Sequence, residues 1–200
     1  MANEKKLKPE SNAAYNIYIW WCKLFDLFQN PRQRLRKIPL KEGMKVVDYG
    51  CGPGRYTLPM ADLVGLKGKV FAVDIQPLAI KTVKEKAARQ GLTNVEVILV
   101  ESYATGIQGS SIDLVLFVDT LHHIEDCNAL FHEIHRLLKP DGLLFMDPGR
   151  MKISKAREIV EGTDLFTIVK FKGKDMLVAP KRKYRNYLTK HRGAKSCLKL

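Results

Sequence analysis

The chain has 200 residues, 46% of them hydrophobic and 28% charged, which is the makeup of one ordinary globular domain and excludes global disorder. Its four cysteines, Cys22, Cys51, Cys127 and Cys197, form no CxxC pair and no metal-ligand spacing, which argues against a disulfide framework or a zinc site and for a reducing compartment. The formal charge of +13 is unevenly placed: residues 181–200 carry eight Lys and Arg and no acid, so residues 1–180 hold only the remaining +5.

The N-terminus, Met-Ala-Asn-Glu-Lys-Lys, runs into polar residues with no apolar leader. The longest apolar run near it, Ile17 to Cys22, falls far short of the roughly 20 residues that span a bilayer. A soluble, cytoplasmic protein without an integral membrane segment is expected. Between Ala13 and Phe28, the residues Ile17, Trp20, Trp21, Leu24 and Phe28 recur at helical spacing, with Tyr15, Tyr18 and Phe25 adding further aromatic surface. Asn30-Pro31 is expected to end this helix, and a second short basic helix covers Arg32 to Ile38.

From Lys45 onward strands and helices alternate. Lys45–Asp48 reads as a strand, followed by a helix through Tyr56–Leu66 that ends at Gly68. Val70–Val73 is a second strand closed by Asp74, and Pro77 opens a helix in which Ile80, Val83 and Ala87 share a face and Gly91 is the stop. Val95–Val100 and Ile112–Val118 are strands; Leu130, Ile134, Leu137 and Leu138 mark a helix before Pro140, and Leu143–Met146 is a fifth strand. After a helix marked by Ile153, Ala156, Ile159 and Val160, Leu165–Phe171 and Met176–Val178 lie so close together that they must pair as an antiparallel hairpin. Repeated βα units predict an α/β fold with a mostly parallel sheet and helices on both faces. The expected organisation is a helical lid segment over 1–40, a cofactor domain over 41–180 and a basic tail over 181–200.

The most telling stretch is Val46-Val47-Asp48-Tyr49-Gly50-Cys51-Gly52-Pro53-Gly54, an apolar strand that ends on an acid and turns through three glycines. Glycine serves where the backbone takes unusual angles or lets a ligand lie against it. The spacing is G-x-G-x-G, not the G-x-G-x-x-G that faces a pyrophosphate. In open α/β sheets ligands lie beyond the carboxyl ends of strands. Polar residues stand at those ends here: Asp48, then Asp74 about 20 residues past Gly54, then Glu101-Ser102, then Asp119 after Phe117-Val118, with His122-His123 in the following turn.

Over roughly residues 42–149 these pieces resemble the class I S-adenosylmethionine (SAM) dependent methyltransferases, in the branch of methyltransferase type 11 that includes the ubiquinone/menaquinone C-methyltransferase-like enzymes. The resemblance implies a Rossmann-like, seven-stranded, mostly parallel sheet with a C-terminal antiparallel hairpin. It implies SAM as cofactor, with Asp48, Gly50, Cys51, Gly52 and Gly54 in the first motif and Gly50 and Gly52 against the methionine half. Asp74 would accept from the ribose hydroxyls with Ile75 against the adenine. Glu101-Ser102 falls where the family usually has Asp-Ala, so the contact to the adenine amino group is altered. Phe117 to His123 resembles the turn after the fourth strand, and Leu137 to Gly142 the turn into the fifth.

Several of these residues have plainer readings. Cys51 suits a small buried side chain better than a nucleophile. His122 or His123 is either a general base, with an unperturbed pKa near ~6.5, or one packed and one solvated ring. The Tyr18, Trp20 and Trp21 stripe is expected to pack as core or lid against the sheet, with Tyr18 and Trp21 as candidate contacts for a small apolar or aromatic acceptor. The acceptor pocket is expected between the turn after the fourth strand and the N-terminal helix. The tail over 181–200, with Tyr184 and Tyr187, is either solvated or tracks RNA, which makes an RNA methyltransferase the rival enzyme reading. A SAM-binding protein without catalysis is the third reading.

Overall fold

A computed structural model describes residues 7–28 and 30–181. Most of the predicted basic tail, including Tyr184 and Tyr187, lies outside the described residues. The strands form one seven-stranded sheet in the order β3-β2-β1-β4-β5-β7-β6. The chain divides after Gly106 into two compact units.

The first unit begins with α1 (Asn12–Phe28) and α2 (Pro31–Leu35). The first helix ends before Asn30-Pro31 as expected, and the same pair starts the second: the Asn30 side chain accepts from the Arg32 N–H at 2.9 Å, and Pro31 takes the first helical position, where its missing N–H is no loss. Then follow β1 (Lys45–Tyr49), α3 (Thr57–Val64), β2 (Lys69–Asp74), α4 (Pro77–Arg89) and β3 (Val95–Leu99). β1 pairs with β2, and β2 with β3, all parallel. Val46, Val47, Val70, Ala72 and Val73 are fully buried, as expected of strands covered on both faces. α3 is shorter than predicted because the chain turns at Gly65, and the buried Asn94 side chain donates to the carbonyls of Ala61 and Gly65 at 2.8 and 2.9 Å. Gly68 has another duty: a β-carbon there would lie 2.6 Å from Val64 and 2.7 Å from the Met44 carbonyl.

The second unit holds β4 (Ile112–Val118), a short 3-10 turn at Leu121–His123, α5 (Cys127–Leu137), β5 (Leu138–Asp147), α6 (Ile153–Gly162), β6 (Phe166–Lys172) and β7 (Asp175–Pro180). α5 is capped by Asp126, whose carboxylate accepts from the Ala129 N–H at 2.9 Å. β5 starts five residues earlier than predicted. Its parallel pairing with β4 opens at Ile112 opposite Leu138 and resumes at Leu114 opposite Leu143. The predicted Pro-Asp-Gly turn is therefore a bulge within the strand: Pro140 has no N–H for the ladder, and a β-carbon on Gly142 would stand 2.8 Å from the Ile112 carbonyl. β7 pairs antiparallel with both β5 and β6, which gives the predicted hairpin. Phe166, fully buried, meets Phe131 and His135 edge-on at 5.9 and 5.5 Å. Among the described residues no helix is long and apolar enough to cross a membrane.

Candidate cofactor site

In the first unit the glycine turn is tied to the neighbouring strand. The N–H groups of Gly50 and Cys51 both donate to the Val73 carbonyl, at 2.8 and 3.0 Å. Gly52 and Gly54 have φ of +50° and +81°, in the left-handed region that suits glycine. Their surroundings differ. A β-carbon on Gly54 would meet Val83 of α4 at 3.1 Å, so this glycine lets the turn sit close on the helix. At Gly52 the nearest atoms to such a β-carbon are those of the Tyr18 ring, at 3.4 Å, so this glycine lets α1 lay that ring against the turn. Cys51 is buried with Ala72 and Val83, and burial pushes its thiol well above the usual range, which suits a packed side chain and not a nucleophile.

The two strand-end acids take different positions. Asp48 is buried under the turn and accepts from the Thr57 hydroxyl at 2.5 Å, a contact that joins β1 to the start of α3. Burial raises its pKa to about 7, against the opposing Thr57 hydrogen bond and with the Asp74 charge adding to the rise. Asp74 is half-buried. One of its oxygens accepts from the Gly52 N–H and the other from the Gln76 N–H, both at 2.8 Å. Burial raises its pKa, while these bonds and one from Ile75 oppose the rise. A carboxylate has about four lone-pair sites, so two such bonds leave acceptor capacity on each oxygen.

A strap of N-terminal chain crosses the ends of β2 and β3. The Leu7 N–H donates to the Glu101 carbonyl at 2.8 Å, and the buried Gln76 side chain donates to the Glu10 carbonyl at 2.9 Å. Glu101 is exposed, and the Ser102 hydroxyl accepts from the Ala104 N–H at 3.3 Å. Ile75 is half-buried beside Asp74. In α1, Tyr15 is 5% exposed with its ring 6.0 Å from that of Tyr18. Trp20 and Trp21 are 61% and 50% exposed and meet edge-on at 5.6 Å. Of the core-or-lid expectation for this stripe the core half is corrected: with Ile17, the two tryptophans face out, because the helix turns Tyr15 inward and only about a third of its circumference can face the unit. Sequence reasoning did not single out Tyr15 as the inward residue of the stripe; its three-residue spacing from Tyr18 was the available signal.

The second unit holds the remaining candidates. Phe117 is fully buried in β4, so its side chain belongs to the core of this unit. Beyond it Asp119 has φ +55°, unusual for a residue with a side chain, and its N–H donates to the Asp147 carbonyl at 3.0 Å. The Asp147 carboxylate accepts from the Gly149 N–H at 2.7 Å. His122 Nδ1 is buried, 3.8 Å from the Asp119 carboxylate and without a hydrogen-bond partner. Burial lowers the His122 pKa, the neighbouring His123 and Arg150 lower it further, and Asp119 and the Pro148 carbonyl oppose them. The ring of His123 lies 4.0 Å from that of His122. A groove of about 480 Å³ between α6 and β6, lined by Arg157, Glu161, Phe166 and Phe171, contains none of these groups.

The glycine turn and the acid that ends β2 are held together, and a family described as methyltransferase domain matches residues 40–186. The chain belongs to this methyltransferase family. Among curated proteins it is 29% identical over 109 residues to a demethylmenaquinone methyltransferase of Geobacillus stearothermophilus, covering 54% of this chain and 47% of that protein. It is 28% identical over 149 residues to a ubiquinone/menaquinone biosynthesis C-methyltransferase of Pseudoalteromonas translucida, covering 72% and 59%. The chain spans about half the length of the curated relatives it matches. Among solved structures a SAM-dependent methyltransferase from Aquifex aeolicus superposes with a TM-score of 0.67 at 27% identity, over 74% of this chain and 87% of that one.

The cofactor of this methyltransferase domain is SAM, and the residues present fit it. Asp74 retains acceptor capacity for hydroxyls, and Gly52 presents backbone without a side chain. The buried Tyr15 hydroxyl is an unpaired donor. No group of three or more His, Cys, Asp or Glu that could hold a metal occurs among the described residues.

Proposed function

We propose that this protein transfers a methyl group from SAM to a small apolar or aromatic acceptor. The observation that carries the reading is the Asp74–Gly52 pair, which joins a hydroxyl-accepting carboxylate to a glycine turn with left-handed backbone. SAM supplies an electrophilic methyl on a sulfonium, so the protein's task is chiefly to align acceptor and methyl for in-line displacement. Asp74 and the glycine turn hold the donor. Asp48 and Thr57 set the angle at which the strand enters the turn. Where the acceptor must lose a proton, His122 is the base on offer, since its pKa is lowered and its buried Nδ1 is unpaired.

The exposed apolar face of α1, with Ile17, Trp20 and Trp21, supports an apolar or aromatic acceptor. So do the printed names of the relatives, which are quinone methyltransferases. The test is transfer of labelled methyl from SAM to separate pools of quinones and phenols, polar small molecules, and RNA. Label in the first pool alone is expected. Label confined to RNA would replace this reading with the RNA one, and SAM binding with no label in any pool would favour a non-catalytic SAM-binding protein.

A further inference from the structure

Tyr15 is buried to 5% exposure, yet its hydroxyl has no hydrogen-bond partner. A buried hydroxyl left unpaired is costly, and such groups call for an explanation. A tyrosine whose only task was to fill a core would do as well as phenylalanine. This hydroxyl is also in a particular place: the Tyr15 ring lies 6.0 Å from that of Tyr18, which packs on the turn whose Gly52 N–H donates to Asp74, and the Asp74 charge acts on the hydroxyl. One turn along α1, Tyr18 covers Gly52.

We propose that the Tyr15 hydroxyl is a donor to bound SAM, directed at the ribose edge that Asp74 also serves. The inference rests on the cofactor reading above. The chemistry at the two residues is complementary. Asp74 can only accept, so ribose hydroxyls give it their protons and keep oxygen lone pairs in need of a donor. Tyr15 is that donor. The Asp74 carboxylate and burial both push its pKa up, so it stays protonated as a donor throughout the working pH range. The methionine carboxylate of the cofactor is a poorer partner for this hydroxyl, because it would have to approach the Asp74 charge. Tyr15 is accordingly a cofactor-positioning residue, and it links donor binding to the seating of α1 and of the strap before it.

The test is Tyr15→Phe in the full-length protein, with binding measured by calorimetry against two probes. S-adenosylhomocysteine carries both ribose and amino-acid parts; 5′-methylthioadenosine keeps the ribose and lacks the amino-acid carboxylate. Loss of one hydrogen bond is expected to weaken both probes by a similar factor of roughly tenfold. The ligand-free melting temperature is expected to hold or rise, since the unpaired hydroxyl is gone, while the ligand-induced rise shrinks. Unchanged affinity for both probes would overturn the proposal and leave Tyr15 a core residue. Weakening of S-adenosylhomocysteine alone would move the contact to the carboxylate and overturn the ribose assignment. If the unsubstituted protein bound neither probe, the cofactor reading itself would fail, which separates the two outcomes.

Discussion

The carboxylate of Asp119 fills the place that a β-carbon on Gly149 would need. The same β-carbon would stand 2.9 Å from His122 Nδ1 and 3.0 Å from the Asp119 α-carbon. Both residues have left-handed backbone, φ +55° at Asp119 and +63° at Gly149. Gly149→Ala therefore meets both strain and overlap, and a loss of roughly 2–4 kcal/mol in denaturant unfolding is expected. In an Asp119→Gly background the same substitution is expected to cost less, because the blocking carboxylate is gone. Equal costs in the two backgrounds would show that the residues are not coupled.

Asp48 gives stability an unusual pH dependence. Its pKa rises from 3.8 to about 7 on burial, so the folded state keeps the proton where the unfolded chain has lost it. The stabilisation is complete below about pH 4 and is lost as pH rises through about 7, on the order of a few kcal/mol from this group. Asp48→Asn keeps an acceptor for Thr57 and removes the titration. Urea titrations from pH 4 to 8 are expected to show a flatter profile for the variant; parallel profiles would contradict the assignment.

Asp74→Ala removes the acceptor of the Gly52 and Gln76 N–H groups and the proposed ribose partner together. A hundredfold or larger loss of S-adenosylhomocysteine affinity is expected, since charge-assisted bonds contribute about 1.5–3 kcal/mol each. Far-UV circular dichroism should be retained. Unchanged affinity would refute the site.

Replacing Trp20 and Trp21 together by Ala is expected to raise the acceptor KM about tenfold and to leave S-adenosylhomocysteine binding within twofold. Stability should move little, as both side chains are at least half exposed. A collapse of cofactor affinity would make them structural residues of the helix.

His122→Gln is expected to lower kcat by roughly 10²–10⁴ with an acceptor that must lose a proton. His123→Gln should have a far smaller effect. With the His122 pKa lowered, the acidic limb of the rate profile should fall below the ordinary histidine value of 6.5. A limb unmoved by His122→Gln would remove this residue from the mechanism.

The alternation of elements was legible in the chain because it rests on local patterns: buried strands closed by acids, helices opened by Pro77 and stopped near Gly91. β4 was read to its ends, Ile112–Val118, because Ser111 and Asp119 bound an apolar run broken only by Asp113. Boundaries failed where a residue's duty is set by a distant partner. The second helix stops at Leu35, short of the Ile38 expected, where the Arg36 N–H turns back to the Arg32 carbonyl. Pro140 and Gly142 read as a turn, yet pairing with β4 carries the strand through them as a bulge.

The sequence by itself determined the sheet class, since strand and helix periods are local, and the resemblance of its glycine turn and strand-end acids to a known family implied the methyl donor. Tertiary structure alone decided that Tyr15 faces inward while Trp20 and Trp21 face out. It also decided that Asp74 holds the Gly52 N–H and that Asp119 excludes a side chain at Gly149. Helical periodicity marks which residues share a face, but only packing selects the face that is buried. Close contacts between residues 22 or 30 positions apart leave no local trace in composition or spacing.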